Sequence, residues 1–204
     1  MLHTEILSKE QRELMPFLKK FGKEYGLVGG TAIALHLGHR RSIDFDLFIE
    51  KEFRGKLLER KVRRVVKVDK VLKNRESEFT FFTNAVKVTF FNFPYVIPYE
   101  DKLEGSIKIP SLLTLAAMKA FALWQRSKWK DYVDLYFIMK DHFTCAEISQ
   151  QAKALFAGEF NPKLFRMQLD YFGDVDYREK VDFMPGFAVS DKKIKKALVE
   201  FSLS

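Results

Sequence analysis

The chain has 204 residues, 47% of them hydrophobic and 15% aromatic, a formal net charge of +8 and one cysteine. That is apolar mass for one globular domain or two small ones, and no apolar run is long enough to cross a bilayer. Cys145 alone excludes an internal disulfide and gives no support to a cysteine-based zinc site.

The opening segment lacks the charged-then-apolar order of a secretion signal, so a cytoplasmic location is expected. Ile6, Leu7, Leu14, Phe17, Leu18 and Phe21 recur at helical spacing and predict an opening helix over residues 5 to 25. "LV" then leads into Gly29 and Gly30. A short helix from Ala32 to Leu37 is stopped by Gly38, which suits a left-handed cap. Ser42 to Ile49 alternates as a strand, Phe53 to Val65 reads as a helix, and "VVKVDKV" has a period of two. "FTFFT" and "AVKVTFFNF" around Asn84 predict a hairpin, and Pro94 and Pro98 close the strand region.

From Pro110 onward the pattern is helical. Ser111 starts a helix through "LLTLAAMKAFALWQ", and another covers Lys130 to Lys140. Thr144 and Glu147 have capping-box spacing, Asn161 with Pro162 starts a further helix, and Ser190 starts the last. Mixed strands and helices followed by helices alone predict an α/β unit and a helical unit with a seam near residue 105.

Charge is concentrated in one place. Residues 51–75 hold eleven of the 35 Lys and Arg against three of the 27 acids, and the remainder balances at 24 of each sign. An anionic partner such as RNA would meet one basic face there; a solvated helix and a protected edge strand is the plainer reading.

The candidate chemistry lies in "LVGGTAIALHLGHRRSIDFDLFIE", Leu27 to Glu50. Residues two apart on a strand point the same way, so Asp44 and Asp46 lie side by side while Phe45 and Leu47 enter a core. Paired carboxylates repel unless a cation sits between them, and magnesium is commonly held by one or two carboxylates plus substrate phosphates. A glycine pair before a helix start lets backbone N–H groups approach a phosphate. The plain alternative is a half-exposed strand beside an ordinary glycine turn.

Farther along, Lys119 stands in an almost wholly apolar helix and needs a carboxylate or phosphate partner unless its amine reaches solvent. Lys119, Arg126 and Lys130 would share a face if that helix ran unbroken. Asp131 and Asp134, three apart, share a face of the next helix.

"GGT" with "GHRRSIDFDLF" resembles the signature of DNA polymerase β-type nucleotidyltransferases. Together with "KWKDYVDLYFI", Lys128 to Ile138, it resembles more narrowly the AbiEii/AbiGii toxin family, over roughly Leu27 to Met139. The resemblance implies an α/β (α+β) fold, a mixed sheet flanked by helices over residues 1–105, with a helical region over 106–204 completing the cleft. It implies that Gly29, Gly30, Thr31, Arg40, Arg41, Ser42 and Asp131 bind the nucleotide and that Asp44 and Asp46 hold Mg2+ or Mn2+. It further implies that Lys119, Lys130 and Asp134 join the two aspartates in catalysis. The substrate would be an NTP, the acceptor RNA (tRNA included) or protein, and the biological role that of a toxin opposed by an antitoxin. One departure stands out. No acid lies between Asn84 and Tyr99, and Thr89 occupies the place where such enzymes commonly carry a third one. Either two aspartates suffice, with Asp134 or Glu78 assisting, or the protein binds nucleotide, RNA or a partner without turnover.

Overall fold

A computed structural model describes residues 2–123 and 126–203 of the chain. The opening apolar stripe is not one helix. A single 3-10 turn at Thr4–Ile6 is followed by α1 (Lys9–Glu13) and α2 (Met15–Phe21). Ser8 caps α1 through a reciprocal box with Gln11, and Pro16 sits in the first turn of α2, so capping and proline chemistry divide a periodicity that continues across both.

Strand β1 (Gly26–Val28) runs straight into α3 (Gly29–Leu37), which Gly38 closes at φ +67°. The helix therefore begins at the glycine pair, earlier than the apolar spacing indicated. Strand β2 (Phe45–Ile49) starts three residues later than expected, because Ser42 and Asp44 are engaged by the Thr31 side chain. Then come α4 (Gly55–Arg63), β3 (Lys70–Arg75), β4 (Glu78–Thr83) and β5 (Val86–Asn92). "VVKVD" is not strand: Val65 and Val66 close the end of α4 by hydrogen bonds to Val62. Asn84 and Ala85 turn the β4–β5 hairpin at positive φ. The prolines do not end the strands, since a small hairpin of β6 (Asp101–Leu103) and β7 (Ile107–Ile109) follows them. The expected seam at residue 105 falls in its turn.

Helices α5 (Leu112–Leu123), α6 (Trp129–Asp141), α7 (Cys145–Phe156), α8 (Pro162–Asp170) and α9 (Asp191–Leu203) complete the chain. The predicted end of α5 at Trp124 and Gln125 lies outside the described residues. Thr144 and Asn161 cap α7 and α8 as their spacing predicted.

The main sheet is mixed, in the order β1-β2-β5-β4-β3, with β2 and β5 parallel and the other neighbours antiparallel. Its two faces are chemically opposite. Phe45, Leu47, Phe79, Phe81, Val88 and Phe90 alternate onto one face and are buried. Phe17 of α2 meets Phe81 and Phe90 edge-on, and Phe21 and Tyr25 also meet Phe90 edge-on. The intervening residues Asp46, Thr80, Lys87, Thr89 and Phe91 point the other way, beneath α5, and line an open cleft. This alternation turns a polar strand face into a site. Helix α3 joins the layers, packing on α5 and α6.

Candidate active site

The cleft has a volume of about 560 Å3. At its floor, the pairing of Val28 with Asp46 brings the following glycine against that aspartate. Gly29 has φ +73°, and a Cβ there would collide with the Asp46 carboxylate. A Cβ at Gly30 would lie 2.6 Å from the Arg40 guanidinium. The first turn of α3 thus presents bare backbone to the cleft with a carboxylate on one side and a cation beneath. Gly29→Ala is expected to push the Asp46 carboxylate aside and to weaken nucleotide binding, as measured by calorimetry; unchanged affinity would separate the glycine from the site.

Asp44 and Asp46 both line the cleft. Burial and the charge of Asp44 raise the Asp46 carboxyl above its ordinary range, with Lys87 pulling it back. The Lys87 ammonium is ion-paired to Asp44. Thr89 stands directly across the ladder from Asp46, and Thr80 next to it on β4. Glu78, considered above as an assisting acid, is roughly 12 Å from Asp46 at Cα by strand spacing and rise. Lys73 and Arg75 hold its carboxylate toward the edge strand. Among the described residues, no group of three or more His, Cys, Asp or Glu is placed to hold a metal ion.

Behind the floor lies a buried charge cluster. Asp134 receives Arg40 Nε at 2.7 Å and Nη2 at 2.8 Å, His39 Nε2 at 2.9 Å and Lys119 Nζ at 3.1 Å. Burial alone would raise the Asp134 carboxyl, but the charges of Arg40 and Lys119 outweigh it and hold the group well below the usual range. Burial pushes the His39 imidazole down, against the pull of Asp134. The ring is therefore neutral at pH 7, with the proton on the nitrogen that faces the carboxylate. Lys119 also donates to Asp131 at 2.6 Å, and Arg126 approaches the other Asp131 oxygen at 3.4 Å.

The predicted residues thus divide by position. Gly29, Gly30, Arg40, Ser42, Asp44, Asp46, Lys119, Lys130 and Asp131 line the cleft. Thr31 does not: it is buried, and its hydroxyl donates to Ser42 and the Asp44 carbonyl, which fixes the approach to β2. Arg41 turns outward to Asp182 at 3.6 Å. Asp134 lies behind the lining with both oxygens occupied, so it orients Arg40 and Lys119 and has no free oxygen for a substrate or metal. Lys119 and Lys130 stand on separate helices, α5 and α6, so the common helix face does not exist; the fold brings them to the same cleft nonetheless.

Three contributors had no forecast. Lys87 follows from the alternation that exposes Thr89. Lys128 was quoted only as the start of the later motif. Glu179 comes from a segment with no chemical pattern of its own, which hydrogen-bonds to Ser127 and Trp129 at Asp176, and to Arg41 at Asp182. Its carboxylate meets Lys128 at 2.6 Å and Lys130 at 3.5 Å, and those ammonium groups hold it below its ordinary range. At the other end, Phe48 and Phe91 from the sheet, Phe93 just after β5, and Leu115 and Met118 from α5 form an apolar wall.

Among solved structures, a putative nucleotidyltransferase from H. pylori aligns with a TM-score of 0.59 at 20% identity, covering 94% of this chain and 91% of that one. MenT4, a nucleotidyltransferase toxin of Mycobacterium tuberculosis H37Rv, aligns at 0.56 and 11% identity, covering 88% and 74%. JHP933 from Helicobacter pylori aligns at 0.53 and 16%, covering 100% and 92%. At such identities the likeness establishes the nucleotidyltransferase fold. In sequence, an uncharacterised Aquifex aeolicus (strain VF5) protein is 28% identical over 202 residues, 96% of this chain and 97% of that one. The family described as "Nucleotidyl transferase AbiEii toxin, Type IV TA system" matches residues 18–183, most of the chain and all of the cleft-lining residues. The protein belongs to the AbiEii nucleotidyl transferase toxin family.

Proposed function

We propose that the protein transfers a nucleoside monophosphate from an NTP to a hydroxyl of an RNA or protein acceptor, with a divalent cation at Asp44 and Asp46. The observation that carries this reading is the Asp46 carboxylate against the bare Gly29 backbone, with Asp44 in the same lining, on the floor of an open cleft. The donor set fits Mg2+ or Mn2+: two carboxylates in one lining, Asp46 raised in proton affinity by burial and by the charge of Asp44, leaving further coordination to phosphates and water. When bound, such an ion supplies charge neutralisation at the reacting phosphate.

The chain's own residues do the rest by position and charge. The first turn of α3 offers N–H groups to the terminal phosphates, and Ser42 stands beside it. Lys119, Lys130 and Arg126 bring cationic ends to the same cleft, with Arg40 buried under Gly30 and Asp131 orienting Lys119. The acceptor hydroxyl attacks the α-phosphorus and pyrophosphate leaves. Residues 51–75 form α4 and the edge strand β3, whose Lys73 reaches the cleft, so a basic surface is continuous with the site. We assign the acceptor to that side, RNA by preference, bound through its phosphates. Action in the cytoplasm, restrained by an antitoxin, fits the family. Among the described residues no helix is long and apolar enough to cross a membrane.

Thr89 opposite Asp46, where a third acid is absent, favours a second reading in which nucleotide or RNA is held without turnover. Incubation with each labelled NTP, Mg2+ and total RNA distinguishes them. Label is expected in an acceptor with the wild-type chain and absent with Asp44→Ala. No incorporation from any of the four nucleotides, together with calorimetric nucleotide binding, would establish the second reading.

A further inference from the structure

The two aspartates of the cleft are not alone with their charge. Lys87 stands beside them: β5 pairs with β2 from Val88 and Phe45 onward, and just ahead of that pairing Asp44 and Lys87 both line the cleft. The Lys87 ammonium is ion-paired to Asp44, and its side chain is one-third exposed, between the sheet and the open cleft. Among the described residues no other ion pair reaches Asp44, and Arg126 approaches Asp131 instead. Lys119 is bound to Asp131 and Asp134, and Lys128 and Lys130 to Glu179.

Phosphoryl-transfer sites that use two metal ions hold them about 4 Å apart, as a clamp on the attacking and leaving oxygens. Here the position beside Asp44 that a second ion would take is held by the Lys87 ammonium. The charges point the same way. Two carboxylates with one ammonium and one divalent ion leave a single positive charge for a polyphosphate to meet. A second divalent ion would leave three positive charges held by the same two acids.

We infer that Lys87 is a positioning residue that fills a cation position beside Asp44 with its ammonium, so that the site takes one divalent ion and not two. This rests on the cation-binding reading of Asp44 and Asp46 proposed above.

The test is a Mn2+ titration of the full chain, with free Mn2+ followed by electron paramagnetic resonance, heats by calorimetry, and folding of each variant checked by melting. The wild type is expected to bind one equivalent. Lys87→Met, which removes the charge and keeps an unbranched stem, is expected to gain a second, and Lys87→Arg to remain at one. Asp44→Asn is expected to bind none, which keeps the inference testable should Lys87→Met fail to fold; a retained equivalent in Asp44→Asn would overturn it. Two equivalents in the wild type, or one in both wild type and Lys87→Met at equal affinity, would overturn the inference and leave the cation site standing. No binding by either would overturn both.

Discussion

Asp46→Asn is expected to abolish nucleotidyl transfer, by about 10²-fold or more, while leaving the metal-free protein at least as stable as the wild type. The first half follows from the several kcal/mol that charge stabilisation at a reacting phosphate supplies. The second half follows from the carboxylate itself. Burial and the neighbouring charge of Asp44 raise its pKa, so the folded chain holds the Asp46 proton more tightly than the unfolded chain does. The associated stability is present below the ordinary carboxylate range and is lost as pH rises through the raised value. An amide is neutral at every pH and escapes that loss. Melting in chelator at pH 7 should show Asp46→Asn at or above the wild type, and added Mg2+ should raise the wild type only. A variant that melts well below the wild type in chelator would show that Asp46 is a structural acid.

Asp134→Ala is expected to do the opposite and unfold the protein readily. It strips the shared counterion from two buried cations, and removal of one partner from a buried ion pair costs roughly 3–5 kcal/mol. For a chain of this size that is a fall in melting temperature on the order of 10 °C. The pH dependence has a definite sign. The folded pKa of Asp134 is depressed, so its contribution is complete above the ordinary carboxylate value of about 3.9 and disappears as pH falls through the folded value. His39, also depressed, adds loss in the same direction beginning below about 6.5. Because Asp134 pulls the His39 pKa up, its removal does not relieve that His39 loss, so the melting difference between wild type and Asp134→Ala should persist from neutrality down to about pH 4 and narrow only below it. A difference that does not change with pH would assign the effect to lost packing.

The contrast between these two aspartates shows what the sequence could and could not express. Asp46 was readable because its neighbours are local: alternation assigns its face, and the glycine pair lies a short span upstream. The same local logic placed the helix stop at Gly38, the turn at Asn84 and the caps at Thr144 and Asn161, each set by a few adjacent residues. Asp134 was visible as a carboxylate in an apolar helix, but its partners lie 94 and 95 positions away at Arg40 and His39. Pattern alone does not distinguish an acid that meets substrate from one that meets a buried guanidinium. The opening helix was overextended because apolar spacing persists across the Ser8 cap and Pro16. The β6–β7 hairpin was missed because strands of three residues are too short to show a period. Lys119 needed a partner on physical grounds and has two, yet which carboxylates would serve required the fold.

The segment around Glu179 has a consequence for the charge at the mouth. Its main chain is fastened at Asp176 to the residues ahead of α6 and at Asp182 to the loop that follows α3. The segment between those two fastenings holds the Glu179 carboxylate against Lys128 and Lys130 at the rim of the cleft. A stretch that reads as plain connection therefore carries the counter-charge of two lysines at the cleft, and lengthening it is expected to free their ammonium groups.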